Sequence, residues 1–172
     1  MNKITIYLLI EVKVKELNSH LLLSKFASQL GMRIYIGSKD AIKRLLKRKN
    51  NKAGAFIFKG GMEVPEILEI KEKIQKFIIL DQEISPATTD YKKDIRCRVW
   101  PGSEKYIDSY YSIGQLAYEA GVDVFKNMNL NIIKTGWPRI DLLRGEFSIL
   151  CKTKIEEIKK QVFKDCVMIE SR

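Results

Sequence analysis

Residues 76–86 of the chain read KFIILDQEISP. An apolar run, Phe77–Leu80, is followed at once by Asp81, Gln82 and Glu83, and a proline ends the segment. This pattern predicts a buried strand that ends in a polar loop. Ligands of an open parallel sheet bind outside the carboxyl ends of its strands, so both carboxylates are candidates for chemistry. Asp and Glu are also common at strand exits and helix caps, which leaves a purely structural role open.

Strand and helix patterns alternate on both sides of this segment. The predicted strands are Lys3–Ile10, Arg33–Ile36, Ala55–Phe58, Phe77–Leu80, Tyr110–Ile113 and Asn131–Lys134. The predicted helices are Leu17–Leu30, a basic helix that Ser38 caps and that runs to Lys49, Pro65–Lys76 and Gln115–Phe125. Ser85–Asp108 is predicted to be a long loop with at most short helices. The alternation predicts a three-layer, Rossmann-like α/β domain with a mainly parallel sheet of about six strands.

The last part of the chain has a different pattern from the rest. Ser148–Phe163 has the spacing of an amphipathic helix, and the apolar run Cys166–Ile169 follows it. We expect residues 1–147 to form the Rossmann-like domain and residues 148–172 to be a linker helix with the start of a second, missing domain. Cys166–Ile169 could instead be an edge strand or a frayed tail of the first domain.

Composition is that of a globular protein rather than a membrane-spanning or disordered one. The chain has 172 residues, 45% of them hydrophobic, and no run approaches the roughly 20 apolar residues of a membrane span, so we expect a cytoplasmic protein. The formal charge of +10 is concentrated in Lys43–Lys52 and Lys152–Lys164, without interleaved aromatic residues. This distribution argues against nucleic acid as a partner. Solvated helix faces are the simplest interpretation, and contact with the inner face of an anionic membrane is the alternative.

Several kinds of site are not predicted. Three cysteines without CxxC spacing and a single histidine, His20, give no metal-binding pattern and no Ser-His-Asp machinery, and His20 is expected at a core edge or cap. No glycine follows the first strand, so a dinucleotide fingerprint is absent, and there is no Walker loop. We therefore expect no metal and no cofactor.

Four segments carry a resemblance to a known family. They are residues 6–40, IYLLIEVKVKELNSHLLLSKFASQLGMRIYIGSKD, residues 56–61, FIFKGG, residues 79–86, ILDQEISP, and residues 132–143, IIKTGWPRIDLL. Together they resemble the N-terminal half of bacterial surface-carbohydrate biosynthesis proteins, which look like GT-B glycosyltransferases. The chain has a more distant likeness to the polyglycerol-phosphate polymerases that make teichoic-acid chains. Thr135–Asp141 is the most specific piece.

The resemblance implies roles for the strand-exit residues. Gln82 and Glu83 match the Gln-Glu form of an acidic motif that related transferases use to deprotonate the acceptor hydroxyl, although Ile84 departs from the glycine of the other form. Glu83 is thus the expected base, and Asp81 supports it. The other strand-exit residues, which would line the same rim and contact substrate, are Glu11, Glu16, Lys39, Lys59, Arg139 and Asp141. Arg139 and Asp141 could instead pair with each other to brace the Pro138 turn.

The expected function is that of an acceptor-binding half of a glycosyltransferase-like protein in capsule, O-antigen or teichoic-acid-type biosynthesis. A glycan acceptor would be its partner, and a nucleotide-sugar donor would bind only with a second domain or subunit, so the chain alone is expected to be inactive. A non-catalytic Rossmann-like module that binds a glycan, a partner subunit or a membrane surface is the alternative.

Overall fold

The computed structural model describes residues 4–48, 53–84 and 89–147 of the chain. Its strands are β1 Thr5–Leu9, β2 Arg33–Gly37, β3 Ala55–Phe58, β4 Lys76–Leu80, β5 Ser109–Ile113 and β6 Asn131–Thr135. Its helices are α1 Lys13–Gln29, α2 Lys39–Lys47, α3 Val64–Lys71, α4 Tyr91–Arg98, α5 Gly114–Val124 and α6 Pro138–Asp141, with a 3₁₀ turn at Glu104–Tyr106.

The strands form one six-stranded sheet in the order β2-β1-β3-β4-β5-β6, and every neighbouring pair is parallel. The predicted fold class, a three-layer α/β domain of Rossmann-like type, is therefore confirmed. From β1 the chain moves to one side of the sheet to make β2 and then crosses to the other side to make β3. Such a reversal opens a crevice at the carboxyl ends of β1 and β3, where ligands of doubly wound sheets bind.

Two apolar clusters hold the layers together. The larger lies on the face that carries α2 to α5 and includes Phe56, Phe77 and Tyr110 of the strands with Ile67 and Ile95 of the helices. The smaller lies on the opposite face, where three strand residues pack with Leu23 of α1; these residues are Leu8, Ile57 and Leu80. Because β4 lies inside the sheet and contributes to both clusters, its exit is fixed from both faces.

Tertiary packing moves several boundaries away from the predicted ones. Helix α1 begins at Lys13 rather than Leu17, and α3 ends at Lys71 rather than continuing to Lys76. Ile74 is buried beyond the end of α3, whereas Leu68, within the helix, is 40% exposed. Within the predicted Ser85–Asp108 loop, an eight-residue helix, α4, forms behind an Asp90 cap that accepts a hydrogen bond from the backbone N–H of Lys93 at 3.0 Å.

Three lysines of α2 form ion pairs with glutamates of α3. Lys39 lies 2.9 Å from Glu66, Lys43 lies 2.8 Å from Glu69, and Lys47 lies 3.1 Å from Glu69, so the helix pairs with the acidic side of α3. Such partly exposed pairs add little stability each, and they give these three lysines acidic partners on α3.

Some expectations fall outside the part of the chain that the structure describes. They are the linker helix Ser148–Phe163, the apolar run Cys166–Ile169 and the second basic stretch, Lys152–Lys164. Among the described residues, no helix combines the length and the apolar character that crossing a membrane requires.

Asp108 ties three elements together at the amino edge of the sheet. Its carboxylate pairs closely with Lys71 of α3, lies 3.3 Å from Lys76 and accepts a hydrogen bond from the backbone N–H of Phe77 at 2.7 Å. Burial alone would raise the pKa of Asp108, but the Lys71 and Phe77 hydrogen bonds outweigh it and hold the pKa below its usual value.

We expect Asp108→Asn to lower the free energy of unfolding by about 1–2 kcal/mol at pH 7, because a charge-assisted hydrogen-bond centre is lost. A carboxyl with a lowered folded-state pKa stabilises above its unfolded pKa of about 3.9, and that stability disappears as pH falls through the folded value. Urea unfolding at several pH values should therefore show the two proteins converging in acid. Asp123→Asn, in an exposed pair with Lys92, should leave stability unchanged. A pH-independent gap would contradict this assignment.

Candidate functional site

Acidic and basic side chains converge at the carboxyl ends of β1, β3 and β4, which neighbour one another in the sheet. The centre of this strand-exit cluster is the Lys59 ammonium, directly after β3. Its Nζ lies 3.0 Å from Glu11 Oε2, 3.2 Å from Glu16 Oε1 and 3.7 Å from Glu83 Oε1. One cation thus joins the exits of three strands across the crevice between β1 and β3.

Glu16 is the buried support of this cluster. It lies in the first turn of α1, is 3% exposed, and accepts hydrogen bonds from the backbone N–H of Glu11 at 2.8 Å and from Lys59. Burial would raise the pKa of Glu16, but these hydrogen bonds outweigh it, so the pKa lies below its usual value. For Lys59, burial would lower the pKa, and the adjoining carboxylates of Glu11 and Glu16 raise it instead. Both groups are charged at neutral pH.

Glu83 lies between two cations without being tied to either. Its Oε1 is 3.7 Å from Lys59 and 3.6 Å from Arg139 Nη1, and it has no hydrogen-bond partner among the described residues. The side chain as a whole is 24% exposed, whereas the Oε1 atom itself is buried. Arg139 also donates a hydrogen bond to the main-chain oxygen of Gln82 at 3.0 Å. The arrangement orients an ionisable acceptor at the mouth of the crevice.

Asp81 lies beneath this loop and does not reach its surface. The side chain is fully buried; Oδ1 accepts hydrogen bonds from the backbone N–H groups of Glu83 at 2.9 Å and Ile84 at 3.2 Å, and Oδ2 accepts one from the Tyr110 hydroxyl. Burial raises the pKa of Asp81 above its usual value, against the hydrogen bonds that favour the charged form. These contacts make Asp81 a support for Glu83, since it has no exposed atom with which to touch a ligand.

Gln82 turns inward, where it meets a residue that the sequence had not placed at the site. Its side-chain amide is 3.3 Å from Nε2 of His20, and both residues are nearly inaccessible, at 3% and 4% exposure. Two further residues that the sequence did not point to are Tyr110, whose hydroxyl donates a hydrogen bond to Asp81, and Arg98, whose guanidinium lies 3.8 Å from Asp81. The available signal for His20 was its spacing, because Glu16, Ser19 and His20 fall at i, i+3 and i+4 on the inner face of α1.

Two of the predicted rim residues do not join the strand-exit cluster. Lys39 binds Glu66, and this hydrogen bond raises the Lys39 pKa. Asp141 lies 3.8 Å from Arg144. The alternative pairing of Arg139 with Asp141 is not formed, because Arg139 reaches across to Glu83 and Gln82. The other predicted residues, Glu11, Glu16, Lys59, Gln82, Glu83 and Arg139, are brought together in space.

The described part of the chain contains no group of three or more histidine, cysteine, aspartate or glutamate residues arranged to hold a metal ion. The chemistry available to the cluster is that of a carboxylate flanked by an ammonium and a guanidinium, which suits proton transfer and hydrogen bonding to hydroxyl groups. No known protein family, no curated protein and no solved structure gives a match to this chain.

Proposed function

We propose that this domain is the acceptor-binding half of a glycosyltransferase-like protein of bacterial surface polysaccharide biosynthesis, with a capsule, O-antigen or teichoic-acid-type product. The observation that carries the proposal is the partly exposed Glu83 side chain at the exit of β4, whose buried Oε1 lies between Lys59 and Arg139 and accepts no hydrogen bond from the described residues. Sugar transfer needs a base that removes a proton from the acceptor hydroxyl.

In this proposal Glu83 takes the proton, and its neighbours hold it in place. Lys59 and Arg139 flank the carboxylate, Asp81 fixes the turn beneath it, and Glu11 and Glu16 anchor Lys59. The exposed part of Glu83 would meet the acceptor hydroxyl, while the guanidinium of Arg139 offers donors to further hydroxyl, carboxylate or phosphate groups of the glycan. Lys39 and Asp141 lie outside this set.

Space for part of an acceptor lies near the β4 exit. A cavity of about 230 Å³ lies beside the β4 exit, and its lining includes Ile84, Leu116 and Trp137. Ile84 directly follows Glu83 and Trp137 stands two residues before Arg139, although neither Glu83 nor Arg139 lines the cavity itself. An apolar wall with a few polar groups is typical of small-ligand sites.

The nucleotide-sugar donor would come from a second domain or subunit. The turn from β1 to α1 contains no glycine, and the buried Glu16 occupies the first turn of that helix. A helix terminus that binds pyrophosphate presents free N–H groups and favours negative ligands, whereas here carboxylates already stand at that position. The crevice at the carboxyl ends of β1 and β3 therefore suits the acceptor rather than the donor.

Binding to immobilised glycans tests this function. We expect the purified chain to bind members of an array of bacterial surface oligosaccharides, and Arg139→Ala to weaken that binding roughly 10–100-fold, because hydrogen bonds to a charged group contribute about 1.5–3 kcal/mol. Arg33→Ala, at the exposed amino end of β2, is the matched control and should bind like the unaltered chain.

Failure to bind any glycan, or binding that Arg139→Ala leaves intact, would count against the proposed site. Glycan binding without sugar transfer, after a donor-binding half and nucleotide sugars are supplied, would favour the non-catalytic binding module instead.

A further inference from the structure

The inner face of α1 is polar at the end that meets the strand-exit cluster. Glu16, Ser19 and His20 are at most 4% exposed, whereas further along the helix the buried residues are Leu22 and Ala27. Buried polar groups are costly unless hydrogen bonds compensate them. Glu16 is compensated by Lys59 and by the backbone of Glu11, and the Ser19 hydroxyl donates to the Glu16 carbonyl at 2.8 Å.

The His20 ring has a single hydrogen-bonding contact among the described residues. That contact is the side-chain amide of Gln82, at 3.3 Å from His20 Nε2, while Nδ1 has no partner within the described ranges. In this orientation of the Gln82 amide its nitrogen donates, which makes Nε2 the acceptor and assigns the ring proton to Nδ1, while Gln82 Oε1 is left without a partner among the described residues. A neutral ring is required for this, and burial lowers the His20 pKa, with the Glu16 charge acting more weakly in the opposite direction.

Both the main chain and the side chain of Gln82 have hydrogen-bond partners. Arg139 binds its main-chain oxygen at 3.0 Å, and His20 binds its side chain from the interior. The next residue is Glu83, whose backbone N–H is fixed by Asp81. The direction in which the Glu83 side chain leaves the loop therefore depends on how Gln82 is seated.

We propose that His20 is a positioning residue, which accepts a hydrogen bond from the Gln82 side chain at Nε2 and thereby seats the loop that presents Glu83. His20 does not touch the reacting groups in this arrangement. The catalytic part of the inference depends on the proposed function of Glu83, whereas the contact between His20 and Gln82 does not.

Nuclear magnetic resonance tests the contact without any activity, because His20 is the only histidine of the chain. Long-range proton–nitrogen correlation spectra of the ¹⁵N-labelled chain should show the tautomer protonated at Nδ1. Gln82→Leu should shift both ring nitrogen resonances, and Gln115→Leu, which alters an exposed amide bonded to Glu119, should leave them in place. A ring protonated at Nε2, or resonances unaffected by Gln82→Leu, would overturn the proposal.

A kinetic test addresses the positioning role in an assembled transferase that contains this chain. We expect His20→Ala to lower kcat about 2–10-fold, the usual value of one neutral hydrogen bond, with little change in the KM for the acceptor. His20→Gln, which restores an acceptor, should recover part of the loss. Equal activity of His20→Ala and the unaltered protein would overturn the positioning role, even where the magnetic resonance result is positive.

The two tests separate this inference from the proposed function. If no sugar transfer depends on Glu83, the proposed function fails while the spectra still decide the His20–Gln82 contact. If transfer depends on Glu83 and not on His20, only the present inference fails.

Discussion

Under the proposed function, replacing Glu83 by glutamine should lower kcat about 10²–10⁴-fold in an assembled transferase that contains this chain, because a positioned general base contributes that much to the rate. Glutamine keeps the size of the side chain and its acceptor oxygen but cannot take the proton. Since Glu83 is partly exposed and not hydrogen-bonded through Oε1 to the described residues, the fold should tolerate the change. Steady-state kinetics with saturating donor and acceptor would measure the effect.

Glu11→Gln is the matched control for this experiment. Glu11 also contacts Lys59, at 3.0 Å, but it follows β1 rather than β4, and its side chain is 42% exposed. We expect its substitution to change kcat less than tenfold. A Glu83→Gln enzyme within tenfold of the unaltered one would contradict the assignment of the base, and a loss in both variants would instead implicate the Lys59 charge balance.

The second large effect concerns stability rather than turnover. We expect Asp81→Ala to lower the free energy of unfolding by about 3–5 kcal/mol. The substitution removes a buried carboxylate and leaves all of its hydrogen-bonding and charged partners unsatisfied in the interior. The groups left behind are two backbone N–H groups, the Tyr110 hydroxyl and the Arg98 guanidinium, which lies 3.8 Å from Asp81. Urea unfolding would measure the loss, and Asp141→Ala, at a site 38% exposed, should cost far less.

The pH dependence of Asp81 has the opposite sign from that of Asp108. Its folded-state pKa is raised by burial, so the folded protein binds the proton more tightly than the unfolded chain does. Between the unfolded pKa of about 3.9 and the higher folded value, this group makes stability fall as pH rises. Asp81→Asn should remove that contribution. A variant whose stability follows the same pH profile as the unaltered protein would contradict the raised pKa.

Much of the fold could be predicted because it depends on local pattern. The apolar runs Phe77–Leu80 and Ala55–Phe58 form strands at nearly the predicted positions, and Ser38 caps α2 through a hydrogen bond from the backbone N–H of Ala41. The predicted helix boundaries that depend on packing were wrong. Helix α3 ends at Lys71 because the chain must turn back into β4, and no local signal marks that point.

The site divides in the same way. Residues at strand exits could be identified, because the carboxyl ends of parallel strands share one edge, and six of the predicted residues do meet there. Tyr110 and Arg98 could not be identified, since each reaches Asp81 from another element of the fold. The spacing of His20 pointed to the inner face of α1 but not to Gln82, which lies 62 positions away. Which partner a side chain meets across such a separation is decided by packing.

The sequence by itself therefore determined the α/β class, the parallel sheet and the edge at which the polar residues gather, because hydrophobic period and strand exits are local properties of the chain. Only the tertiary structure decided how those residues divide their roles. It turned Asp81 and Gln82 inward, left Glu83 partly exposed between Lys59 and Arg139, and directed Lys39 to Glu66. The physical reason is that burial and charge pairing depend on distances between elements, which the order of residues along the chain does not contain.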